Sequence, residues 1–103
     1  MKNENPAHHL WVLNKVSSTE FQLEGDLNPT NIDVCCLAIK KISAGCSLNL
    51  LDLDIDDGPC LAVFISALRC IAPCTLVGAP RMLAHTLYKI NARDITLVHP
   101  RSY

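Results

Sequence analysis

The stretch Ser47-Leu-Asn-Leu-Leu-Asp-Leu-Asp-Ile-Asp-Asp-Gly-Pro59 decides the fold, because an apolar strand pattern runs through an acidic turn into an apolar helix. Leucines at 48, 50, 51 and 53 leave little alternation. A strand over Leu48–Leu53 of this kind suits the middle of a sheet covered on both faces. Aspartate and glycine before Pro59 signal a helix start, since proline at the first helical position has no N–H to leave unpaired and its φ is already helical. Asp52, Asp54, Asp56 and Asp57 therefore gather beside one helix N-terminus. Carboxylates there complement the positive helix end by about 0.3–1 kcal/mol each when exposed. The segment is either a solubilising cap or a recognition surface, and the rest of the chain bears on which.

Working outward, Leu10–Leu13 and Glu20–Glu24 read as a hairpin turning at Ser17-Ser18-Thr19. Phe21 and Leu23 share one face of the second strand and Gln22 and Glu24 the other, so one face is buried and one wet. Asn28-Pro29 opens a helix that places Ile32, Cys35, Cys36, Ile39 and Ile42 at helical spacing, with Lys40 and Lys41 outside and Gly45 as its stop. The helix from Pro59 runs to Ala72 and carries Leu61, Val63, Phe64, Ile65, Leu68 and Ile71 almost around its circumference. That pattern predicts cover on more than one side, from the domain or from a partner. A strand over Cys74–Val77 leads through Gly78-Ala79-Pro80 into a third helix, with Leu83, Leu87 and Ile90 as its apolar stripe. Arg81, His85 and Lys89 recur at four-residue intervals on another face and are expected to be solvated. Asp94–Val98 supplies the last strand. The order β-β-α-β-α-β-α-β predicts an α/β fold, a mixed central sheet of about five strands with helices packed on it through right-handed crossovers.

A chain of 103 residues holds one core but not two. Half its residues are hydrophobic and only 18% are charged, which predicts a packed domain, and a formal charge of −1 removes the electrostatic case for nucleic acid. The longest apolar run, Cys60 to Ile71, is broken by Ser66 and Arg69 and falls short of the roughly 20 residues that span a bilayer. Residues 1–9 are polar and lack the apolar segment of a signal peptide. They read as a flexible tail ahead of a single domain over 10–103, and the expected location is cytoplasmic. Cys35, Cys36, Cys46, Cys60, Cys70 and Cys74 then read as reduced, small core residues, without a C-x-x-C pair to hold zinc or run redox chemistry. No metal or cofactor is expected. Catalysis finds little support: there is no G-x-S-x-G, no glycine-rich phosphate loop and no H-E-x-x-H. Cys60 with His85, or Asp56 with Asp57, are the remaining candidates, and they read as a buried small residue and a solvated cap. The protein is expected not to be an enzyme.

Three segments resemble the STAS family, the fold of anti-sigma-factor antagonists and related small bacterial regulators. Leu23-Glu-Gly-Asp-Leu-Asn28 resembles its second strand and the acidic turn before its first helix. Leu50-Leu-Asp-Leu-Asp54 resembles its central strand, and Thr75-Leu-Val-Gly-Ala-Pro-Arg-Met-Leu83 its fourth strand and third-helix start. The resemblance covers about Leu10 to Pro100, with a departure at the loop after the central strand. STAS regulators carry Asp-Ser-Ser-Gly or Asp-Thr-Gly-Gly there, and antagonists are phosphorylated on the hydroxyl beside that glycine. Here the loop reads Ile55-Asp-Asp-Gly58. Aligning on Gly58 puts Asp57 at the phosphorylation-equivalent position, whereas a gapless alignment on Asp52 puts Cys60 and Leu61 there. Neither offers a hydroxyl.

The resemblance implies a non-catalytic regulatory module that docks a protein partner through the acidic loop 54–58 and the following helix. Asp26, Asp54, Asp56, Asp57, Gly58, Cys60 and Leu61 are the candidate contacts, and the implied partner is an anti-sigma-factor kinase. An alternative is an MlaB-like accessory subunit docking on the ATPase subunit of an ABC-type phospholipid transport system. A second alternative is a structural subunit of an oligomer, with a homodimer as its simplest form.

Overall fold

A computed structural model describes residues 10–56 and 58–100. The tail expected over 1–9 and the loop residue Asp57 lie outside the described residues. The described chain forms β1 (Trp11–Lys15), β2 (Glu20–Leu27), α1 (Ile32–Ile39), β3 (Ser47–Asn49), β4 (Leu53–Ile55), α2 (Pro59–Cys70), β5 (Cys74–Val77), α3 (Arg81–Lys89) and β6 (Ile95–Val98). These strands make one mixed sheet of six in the order β1-β2-β3-β5-β6, with β4 also paired to β2. β1 runs antiparallel to β2, and every other pairing is parallel.

The expected central strand Leu48–Leu53 is in fact two. Gln22 pairs with Asn49 while Gly25 pairs with Leu53, so three steps along β2 are matched by four on its neighbour. That one extra residue is a β-bulge, which shifts the inward phase from Leu48 and Leu50 to Leu53. Leu51 is the residue set aside, and it is exposed. The kink keeps its backbone bonded: Leu50 N–H donates to the Val77 carbonyl (2.8 Å), Gly25 N–H to that of Asp52 (3.0 Å), and Leu51 N–H to Asn49 Oδ1 (3.0 Å). A strand that alternates, slips one residue and alternates again looks uniformly apolar. The expectation of cover on both faces is corrected accordingly: Leu48 and Leu50 are fully buried, but Ser47 and Asn49, on the other face, are only half-buried.

The strand order advances from β2 to β6 without reversing direction, so right-handed crossovers place α1, α2 and α3 on the same side of the sheet. One core results. It joins Leu23, Leu48, Leu50, Leu53, Leu76 and Ile95 of the sheet to Ile32, Cys35 and Ile39 of α1, Phe64, Ile65 and Leu68 of α2, and Leu83 and Leu87 of α3. α2 is amphipathic, with Ala62, Val63, Ser66 and Arg69 facing solvent, so the domain itself covers one side of a helix whose pattern predicts cover on more than one. Ile90, expected in the α3 stripe, is exposed where that helix ends.

β2 runs three residues further than its alternation suggested, so Gly25 and Asp26 belong to the strand and not to a turn. Gly25 has φ +119°, and a Cβ on it would collide with the Leu10 carbonyl and with Trp11 Cα of β1. α1 starts later than Asn28-Pro29 implied, at Ile32. The intervening turn is tied by its own asparagines. Asn28 Oδ1 accepts from the N–H groups of Thr30 (2.9 Å) and Asn31 (3.2 Å), and Asn31 Oδ1 accepts from Asn28 N–H (2.9 Å).

Candidate functional site

The ends of β2 and β4 bring three carboxylates into one rim. Asp26 lies directly opposite Asp54 in the parallel ladder, and Leu27 opposite Ile55. Leu27 points into the core. Alternation therefore sends Asp26 and Asp54 to the open face, where both are exposed. Asp56 N–H continues the ladder to the Leu27 carbonyl (2.9 Å), which places Asp56 beyond Asp54 on the same side. With Leu27, Asn28 and Ile55 these aspartates line a hollow of about 420 Å³. Asn31 is 6% exposed and steadies the rim from beneath, its Nδ2 donating to the Asp26 carbonyl (2.8 Å).

Directly opposed like charges weaken a sheet, on the scale of about 0.2–1 kcal/mol for a cross-strand pair. Capping does not offset that here. α2 starts at Gly58, whose φ of +74° and ψ of −125° explain the glycine, with no side-chain capping hydrogen bond and no acidic residue in the first turn. Among the described residues, the carboxylates of this loop are thus displayed and not used to close a helix.

The remaining candidates divide. Gly58 is exposed beside Asp56. Cys60 and Leu61, 2% and 7% exposed, turn into the core, so they anchor the start of α2 and present no contact surface. Burial pushes the Cys60 thiol up from its ordinary value, and the nearby Asp56 and Asp33 carboxylates push it further. A protonated, buried thiol is a poor nucleophile. Arg81, His85 and Lys89 form an exposed stripe on α3, as their spacing implied. Asn28 and Asn31 were not read as part of the site. Their signal was present in Asn28-Pro-Thr-Asn31, two turn-forming amides flanking the helix start.

Among the described residues no group of three His, Cys, Asp or Glu side chains is placed to hold a metal ion, and no helix is long and apolar enough to cross a membrane. No family model matches the chain. No curated protein matches it either.

Proposed function

We propose that this chain is a non-catalytic, STAS-like protein-binding module of the bacterial cytoplasm that docks a basic surface of its partner on the rim of Asp26, Asp54 and Asp56. One observation carries the reading: Asp26 and Asp54 stand opposite each other at a cost to the sheet, exposed and uninvolved in capping. A cationic partner relieves that repulsion, so the strain favours the complex over the free module. The element order and the placement of the helices on one face of the sheet support the STAS-like assignment. An anti-sigma-factor kinase is the first partner class, and the ATPase subunit of a transport system the second. The described loop residues Ile55, Asp56 and Gly58 carry no hydroxyl, which favours a module whose affinity is not switched by phosphorylation.

Replacing Asp26 and Asp54 by asparagine tests this in one protein. The double variant is expected to be more stable than the wild type by roughly 0.2–1 kcal/mol in denaturant titration. At the same time it loses at least tenfold in affinity for whichever kinase or ATPase co-purifies with the wild-type chain. A more stable variant with unchanged partner affinity overturns the docking role. Recovery of the chain with copies of itself alone selects the oligomer-subunit reading.

A further inference from the structure

The formal charge of −1 conceals a separation of charge between the two ends of the fold. Asp26, Asp33, Asp52, Asp54 and Asp56 stand where the parallel strands finish and the helices start, and Arg81 is the only lysine or arginine there among the described residues. Lys15, Lys40, Lys41, Arg69, Lys89 and Arg93 stand at the opposite end, all exposed, with Glu20 and Asp94 as the acidic groups beside them. β1 runs against β2 and so delivers Lys15 to that end, opposite Phe21. Lys15 and Lys41 share a hollow of about 250 Å³ with Ser18 and Ser43, and among the described residues no carboxylate lines it.

Helix dipoles account for part of this pattern. Each helix C-terminus carries about half a negative charge, so the three of them, with Glu20 and Asp94, offset fewer than about four of the cations gathered there. Lys15 belongs to a strand and Arg93 to the turn before β6, so neither lies on a helix. Apolar side chains stand out among the cations. Val16 is 63% exposed on the β1 side, and Tyr88 and Ile90 are 83% and 43% exposed where α3 ends, on the β6 side. Strands lie side by side from β1 to β6, so these apolar groups mark the margins of a basic surface roughly 20 Å wide.

We infer that this basic end binds the surface of an anionic lipid bilayer. A bilayer interface takes both kinds of group at once. Clustered lysines and arginines meet lipid phosphates, while their alkyl stems and the side chains of Val16, Tyr88 and Ile90 enter the headgroup layer. Nucleic acid would pair with the cations but gives the aliphatic Val16 and Ile90, at the two margins, nothing to pack on, and Tyr88 is the one exposed ring there for a base to stack on. The polarity of the fold also orients it. An anionic surface attracts the basic end and repels the acidic one, so the rim of Asp26, Asp54 and Asp56 points to water. None of these cations takes part in that rim, so bilayer binding goes beyond partner docking there and does not depend on it. Among the described residues no helix is long and apolar enough to insert across the bilayer, so attachment is peripheral, reversible and sensitive to salt.

The test is flotation of the full chain with vesicles of phosphatidylcholine alone and of phosphatidylcholine mixed equally with phosphatidylglycerol. The wild type is expected to float with the anionic vesicles at low salt, to be released as salt is added, and to ignore the neutral ones. Lys41→Glu with Lys89→Glu, folded by circular dichroism, weakens binding by about tenfold or more, while Lys41→Arg with Lys89→Arg keeps it. Arg81→Glu makes the same change of charge as Lys89→Glu on the same helix but at the acidic end, more than a screening length away, and leaves binding within about twofold. Tyr88→Ser with Ile90→Ser weakens binding without altering charge. Asp26→Asn with Asp54→Asn does not weaken it, so failure here and failure of partner docking on the rim are read apart. A wild type that leaves the anionic vesicles unbound overturns the inference. Equal binding to neutral vesicles also overturns it, as does an Arg81→Glu variant as impaired as the paired lysine variant. A chain that ignores the vesicles but retains DNA or RNA, or that assembles with its basic end on the acidic end of another copy, overturns it in favour of that occupant.

Discussion

Gly25 is the residue with least freedom to change. Its φ is positive inside a strand, and the place of a Cβ is already held by backbone of β1. Gly25→Ala is expected to cost about 1–3 kcal/mol in urea unfolding, the range for forced backbone conformations, plus the displacement of β1. Gly58 shares the positive φ but has open space around it, so Gly58→Ala is expected to cost only about 1–2 kcal/mol. The two substitutions separate collision from torsional strain. The thiols offer a second contrast. Burial pushes Cys35 up to about 12, and Cys36 and Cys74 up to about 11, with Cys36, Asp33 and Asp94 among the neighbours adding to it. Cys70 alone is exposed. A thiol reagent at pH 8 should label Cys70 in the folded protein and the other five only after denaturation. Because these folded thiols hold their protons to higher pH than unfolded ones, the stability they contribute is complete below pH 9 and is lost as the pH rises from 9 toward 11. Urea midpoints that stay flat between pH 8 and 11 would contradict that assignment.

At the scale of elements, the reading of the sequence succeeded where a segment has one period and failed where the period slips. Five of the six strands and all three helices start within a few residues of the places marked by Asn28-Pro29, Gly58-Pro59 and Pro80 or by alternation. Leu48-Asn-Leu-Leu-Asp-Leu53 was misread because a bulge is invisible to a count of apolar residues: one inserted leucine makes a singly covered strand look doubly covered. The same slip hid the candidate site. Asp26 and Asp54 were both noticed, but their opposition depends on a register that only the bulge sets. If Leu51 is the extra residue, deleting it leaves Leu53 opposite Gly25 and every inward side chain in place. The deletion should cost less than about 1.5 kcal/mol, whereas Leu68→Ala on the buried side of α2 should cost about 2–5 kcal/mol. A Leu51 deletion that unfolds the protein would show that the kink itself is needed to aim β4.

At the scale of the molecule, the single winding direction sorts the chain's features by end. The starts of α1, α2 and α3, the acidic rim and Leu51 all lie where the parallel strands finish. β1 runs against β2 and so begins at that end, with Trp11 beside Gly25, and β6 finishes there, with Val98 beside Val77. The outer strands therefore enter and leave the sheet on the side where the carboxylates stand. A purification tag, fluorescent fusion or surface tether joined through β1 projects beside Gly25 and Asp26 and competes with whatever approaches them, whereas one joined through β6 leaves the sheet three strands away from β2. The opposite end, at Ser17-Ser18, Ser43 and Arg93, is the place for a dye or an immobilisation handle, and an assay anchored there reports the rim unobstructed.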